Sequence, residues 1–188
     1  MKAYEKFMWS AMIMTAMFMP KKATAQYSNN GKSFEVQPSF AWGWTDANEL
    51  EQGGRLDATR SRTIMADGNS RVNCGWGGRL GFGEVSGGRY GELALITKLG
   101  IHYKTIGGEM GIGAGYRLFN GTGFKKNQLS VPLSYKIIAC PDSPISLFAG
   151  MELNLGKNIG GKDGDTLCAA DLGGMLFLVG VNFKLSQK

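Results

Sequence analysis

Residues 33–44 read Ser-Phe-Glu-Val-Gln-Pro-Ser-Phe-Ala-Trp-Gly-Trp, and their order decides the fold. Phe34, Val36, Pro38, Phe40, Trp42 and Trp44 take every second position, with Glu35, Gln37, Ser39, Ala41 and Gly43 between them. A strand sends successive side chains to opposite faces, so this segment has one bulky apolar face and one small or polar face. Wound as a helix, the same residues would scatter their aromatics around the axis. The segment is predicted to be a β-strand.

The alternation recurs downstream. In Val72 to Glu84, Val72, Cys74, Trp76, Leu80 and Phe82 oppose Asn73, Gly75, Gly77, Arg79, Gly81 and Gly83. In Tyr90 to Lys104, Leu93, Leu95, Leu99, Ile101 and Tyr103 oppose Glu92, Lys98, Gly100, His102 and Lys104. Glu109 to Phe119, Asn127 to Ala139, Ile145 to Gly156 and Gly174 to Leu185 repeat it, placing Arg117, Lys136, Glu152 and Lys184 on the glycine-rich side. These make seven strands, and a weak eighth is read around Asp165 to Ala170. Bacterial single-chain barrels have even strand counts, so eight is expected. Turns are read at Ser86-Gly87-Gly88, Asn120-Gly121-Thr122-Gly123 and Pro141-Asp142-Ser143-Pro144, and the polar segment Thr45 to Arg71 is read as a long loop. A competing reading turns Thr105 to Lys126 into a loop and leaves six strands, too few to close a membrane barrel easily.

The two faces set the environment. Soluble barrels fill their interior with apolar groups; here one face is aromatic and aliphatic, and the other is glycine with Glu35, Arg79, Glu92, Lys98, Arg117, Lys136, Glu152 and Lys184. Glycine on a narrow lumen leaves room for long charged side chains, while the bulky face suits lipid. The segments run about 11 to 15 residues, against the ~9–11 that a tilted strand needs to cross a bilayer. No segment after residue 25 has the ~20 apolar residues of a membrane helix, so strand pairing must satisfy the backbone at membrane depth. The expected fold is all-β: a single antiparallel up-and-down transmembrane barrel of eight strands.

Residues 1–25 read as a cleavable signal peptide: Lys2 and Lys6, an apolar run from Phe7 to Pro20 too short to span a bilayer, and small residues at Ala23-Thr24-Ala25. The barrel domain is then 26–188. Cleavage would remove four lysines and one glutamate, lowering the formal charge from +6 to +3, so the basicity of the whole chain implies no nucleic-acid partner. Cys74, Cys140 and Cys168 cannot all pair within one chain, which allows one disulfide and one buried thiol, and their spacing fits no zinc motif.

Three pieces are sharper than patterning: Gln128-Leu129-Ser130-Val131-Pro132-Leu133, then Phe148-Ala149-Gly150-Met151-Glu152, and the terminal Gly180-Val181-Asn182-Phe183-Lys184-Leu185. With them the chain resembles the small outer-membrane β-barrel proteins, the porin-like barrel-domain families. The resemblance implies the outer membrane of a Gram-negative bacterium, contact with its lipid, and insertion by the barrel-assembly machinery through the C-terminal strand. Leu178 stands where that terminal signal usually has a polar residue, and Ser186, Gln187 and Lys188 run past it.

Chemistry is sparse. His102 is the one histidine; its parity turns it inward, and no serine follows two residues on, as a lipid-hydrolysing barrel would need. Gly107 to Gly115 lacks the Lys-Ser/Thr ending of a phosphate loop, Asp163-Gly164-Asp165 is too short for a calcium loop, and Asn120-Gly121-Thr122 reads as a turn. No catalytic residue, cofactor site or metal site is assigned. Arg79, Glu92, Lys98, Arg117, Lys136 and Glu152 are expected to form a paired charge network in the lumen. Phe34, Trp42, Trp44, Phe82, Tyr103 and Phe183 are expected to form aromatic girdles near the strand ends. The functional expectation is a non-enzymatic envelope protein with a side-chain-filled lumen, structural or binding at the surface through the loop Thr45 to Arg71. The alternatives are a lipid-modifying outer-membrane enzyme and a soluble periplasmic lipocalin-like carrier.

Overall fold

In the computed structural model, residues 31–45, 48–85, 88–121, 124–162 and 174–186 are described. The signal segment 1–25 and the weak strand read at Asp165 to Ala170 lie outside them. Among the described residues, eight strands follow one another in chain order: β1 (Lys32–Thr45), β2 (Leu50–Asp67), β3 (Ser70–Val85), β4 (Gly88–Tyr103), β5 (Ile106–Gly121), β6 (Phe124–Ala139), β7 (Ile145–Lys162) and β8 (Gly174–Ser186). Each pairs antiparallel with its sequence neighbour, and β1 pairs with β8 to close the barrel. Closure leaves no free sheet edge, the condition for strands in a solvent that cannot hydrogen-bond.

One expectation fails outright. The segment Thr45 to Arg71 is not a loop: it holds β2, 18 residues long, paired to β1 through Lys32–Arg62 and to β3 through Glu51–Val85. Its inner face carries Glu51, Gly53, Arg55, Asp57, Thr59 and Ser61, and its outer face carries Gln52, Gly54, Ala58, Arg60 and Arg62 around Leu56. A strand with a charged inner face and a mostly small or polar outer face has no apolar alternation to detect. The six-strand reading fails as well, because β5, Ile106–Gly121, and the start of β6 at Phe124 fall within Thr105 to Lys126. The proposed binding loop therefore does not exist in that form.

Strand ends define the two ends of the barrel. The strand ends Thr45 and Leu50, Val85 and Gly88, Gly121 and Phe124, and Lys162 and Gly174 lie at one end, here the upper. Links 68–69, 104–105 and 140–144, with the start of β1 and the end of β8, lie at the lower. Two prolines interrupt the ladders. Between β1 and β8 pairing skips from Val36–Phe183 to Ser39–Gly180 around Pro38, and between β5 and β6 it skips from Ile112–Leu133 to Gly115–Ser130 around Pro132. Proline has no N–H to give a ladder.

Inward glycines have a second use besides leaving room. A Cβ on Gly77 would lie 2.0 Å from the Ala58 carbonyl oxygen, and one on Gly43 would lie 2.0 Å from that of Met175. At these positions the neighbouring backbone curls across the inner face, as tight barrel curvature demands.

Burial alternates without interruption along β4, from buried Gly88 to exposed Tyr103. Across the barrel the apolar side chains are the exposed ones: Leu95 is 74% exposed, Trp76 64% and Leu93 62%. The inside is charged. This arrangement overturns the soluble-carrier alternative, which required large apolar groups within. One apolar patch does lie in the lumen, formed by Ala41, Ile138, Phe148, Leu176 and Leu178. The unusual Leu178 thus has a packing partner set.

Candidate functional site: a charged lumen inside an apolar wall

The lumen is built by alternation, each strand contributing its odd or its even positions. Arg79, Glu92, Lys98, Arg117, Lys136 and Glu152 are all buried there. Four cations and two anions cannot neutralise one another. The remaining carboxylates come from Glu35 on β1, Glu51 and Asp57 on β2 and Glu109 on β5, together with one further cation, Arg55 on β2.

These eleven side chains form one continuous series of alternating charge. Starting near the lower end, Lys98 donates to Glu35 and sits 3.0 Å from Glu109. Glu109 also lies 3.7 Å from Lys136, whose ammonium donates to Asp57 at 3.2 Å and to the Gln37 side chain at 2.7 Å. Arg79 holds both Asp57 oxygens, through Nε at 2.7 Å and Nη2 at 3.0 Å, and donates through Nη1 to Glu152 at 2.6 Å. Glu152 also accepts from Arg55, which lies 3.7 Å from Glu51. Glu51 accepts from Arg117, and Arg117 ends the series 3.2 Å from Glu92. The extra negative charge is met by Lys184, 4.0 Å from Glu35. Charges removed from water need this degree of pairing to be tolerated at all.

Aromatic rings close the upper part. The Arg117 guanidinium lies 4.4 Å above the Tyr90 ring and 5.5 Å from that of Phe119, and these two rings pack with Val85. The Lys136 ammonium is 4.9 Å over Phe148. Cation–π contacts of this kind stabilise a desolvated charge beyond its ion pairs.

The lower mouth is covered by the 140–144 link. Pro141 is fully buried, its carbonyl accepts from Lys184 at 2.6 Å, and Asp142 pairs with Arg71 at the base of β3. His102 lies beneath, pointing inward and 2% exposed, with the Asn73 amide 2.9 Å from its Nδ1. Enclosed in this way, it cannot meet a serine or acid on the outer wall. Between the ion pairs a cavity of about 10 Å³, room for about one water, is bordered by Asp57, Arg79, Lys98, Glu109 and Lys136. Among the described residues no three His, Cys, Asp or Glu side chains are placed to hold a metal ion.

On the wall, Trp42 and Trp44 stand at the upper end of β1, Phe82 near the upper end of β3, and Tyr103 at the lower end of β4. Phe34 and Phe183, both half-buried, lie toward the lower ends of β1 and β8. Trp42 packs against Phe40 and Phe177, with ring centroids 5.8 and 6.0 Å away. Trp76 sits midway along β3, so outward aromatics are not confined to the rims. Cys74, on the wall, and Cys140, in the lower link, are both free and exposed, and Cys168 lies outside the described residues.

No protein-family model matches this sequence, and no curated protein matches it either. Among solved structures, the chain is similar to Neisserial surface protein A at 10% identity, with 82% of this chain and 97% of that one covered and a TM-score of 0.49. It is similar to the attachment invasion locus protein of Yersinia pestis at 13% identity, covering 84% and 100%, with a TM-score of 0.48. The outer membrane enzyme PagL is similar at 12% identity, covering 79% and 98%, with a TM-score of 0.46.

Proposed function

We propose that this chain is a non-enzymatic outer-membrane barrel of a Gram-negative envelope, with a structural role and a closed lumen. The observation that carries the reading is the inversion of the two faces: a paired charge series inside, and exposed Leu, Ile, Met and Trp side chains around the outside. A wall of that kind is a liability in water and a requirement in hydrocarbon. Extracellular loops of such barrels are longer than periplasmic turns, and the longest stretch of sequence between consecutive strands separates Lys162 and Gly174, two strand ends at the upper end. The upper end therefore faces outward and the lower end faces the periplasm. In this reading residues 1–25 are removed on export, and β8 is the strand offered to the assembly machinery.

The test is the gel mobility of protein extracted from the outer-membrane fraction, unheated against boiled. A faster or slower unheated band that converts on heating is the expected result. A single band from protein in the soluble periplasmic fraction overturns the proposal.

A further inference from the structure

Three cations stand on the outer wall, from the lower end of β1 to the middle of β2, where lipid contact makes an unpaired charge expensive. Lys32 opens β1, and Arg60 and Arg62 lie two apart on β2; all three are exposed. Lys32 faces Arg62 directly across the ladder, while Arg60 sits between Phe34 and Trp76. Like charges opposed across a ladder destabilise it unless something shields them. Among the described residues none of the three has a carboxylate partner: Glu35 and Glu109 face the lumen, and Asp142 pairs with Arg71. Arginine stems can lie along neighbouring rings while their heads reach the headgroup layer, and the guanidinium fork matches phosphate oxygens.

We propose that Lys32, Arg60 and Arg62 form a docking site for the phosphate of an anionic phospholipid in the periplasmic-side leaflet. The charge fits: a cationic cluster with no carboxylate partner among the described residues, set among outward Phe34 and Trp76. The ligand is taken from the bilayer and not from solution, because the patch lies on the lipid-facing side of the strands. The proposal rests on the membrane reading above.

The experiment reconstitutes the full chain into vesicles of phosphatidylcholine with phosphatidylglycerol, extracts it in a mild zwitterionic detergent, and weighs retained lipid by native mass spectrometry. Wild type should retain phosphatidylglycerol over phosphatidylcholine, and Arg60→Gln with Arg62→Gln should reduce that preference about fivefold for each cation removed. Both variants leave the lumen series untouched, and an unheated-to-boiled band shift verifies their fold. Equal retention of the two lipids by wild type, which needs no variant, overturns the proposal. So does displacement of the lipid by millimolar inorganic phosphate, which would make the ligand a soluble anion. Wild type that never inserts sinks the membrane reading and this proposal together; insertion without headgroup preference sinks this proposal alone.

Discussion

Glu152 receives guanidinium donors from Arg55 and from Arg79, both buried with it. Glu152→Ala would leave two cations in the lumen short of a counter-charge. Breaking a buried pair from one side costs about 3–5 kcal/mol, so the band conversion should move to lower temperature or urea concentration in that variant. An unchanged conversion would show that water already screens the series. Gly77 and Gly91 provide a second contrast: a Cβ at Gly77 would sit against the Ala58 carbonyl, whereas one at outward Gly91 meets nothing within 4 Å. Gly77→Ala should sharply lower the refolded yield and Gly91→Ala should leave it alone, read as the fraction of folded band. Parity places Arg79 and Glu152 on one face from sequence alone. The partners were harder to see, since Arg55, Asp57 and Glu51 belong to a strand that carries little apolar signal.

At the scale of elements, that strand is the instructive one. β1 is legible because Phe34 to Trp44 alternate bulk with polarity; β2 is hidden because its outer face spends Gln52, Gly54, Ala58, Arg60 and Arg62 on a wall whose bulky apolar residues, Leu50, Leu56 and Ile64, stand far apart. Pairing to β1 and β3 decides its structure, and a single-sequence pattern does not contain pairing. The same limit shortens β7, whose alternation fades at Gly156 although the strand continues to Lys162. Where alternation is complete it also predicts cost. Among the described residues Leu95 is the most exposed large apolar side chain, lying on the outer face of β4. Leu95→Arg should disfavour insertion into vesicles by about 2–4 kcal/mol, measured as the shift in urea midpoint against wild type. A shift near zero would mean that this face of β4 meets water.

For the whole molecule, a lumen crossed by eleven interlocked charges, with Pro141 buried and Asp142 paired at its lower mouth, is expected to carry no ion current. In a planar bilayer the purified barrel should show no stable conductance steps, and a large, steady open level would refute the closed lumen. The wall and the lower link also hold two thiols in two different surroundings. Cys74 lies on the outer face of β3 across from Leu99, while Cys140 sits in the link with a positive φ of 51°. In a Cys168→Ser background reconstituted in vesicles, lipid-facing Cys74 should resist even an apolar maleimide, because the addition needs a thiolate in contact with water. A sulfonated, membrane-impermeant one reaching the lower end should label Cys140 first. Unfolding the protein by boiling in detergent should erase the difference. The pair makes the molecule its own gauge of where oil stops and water begins.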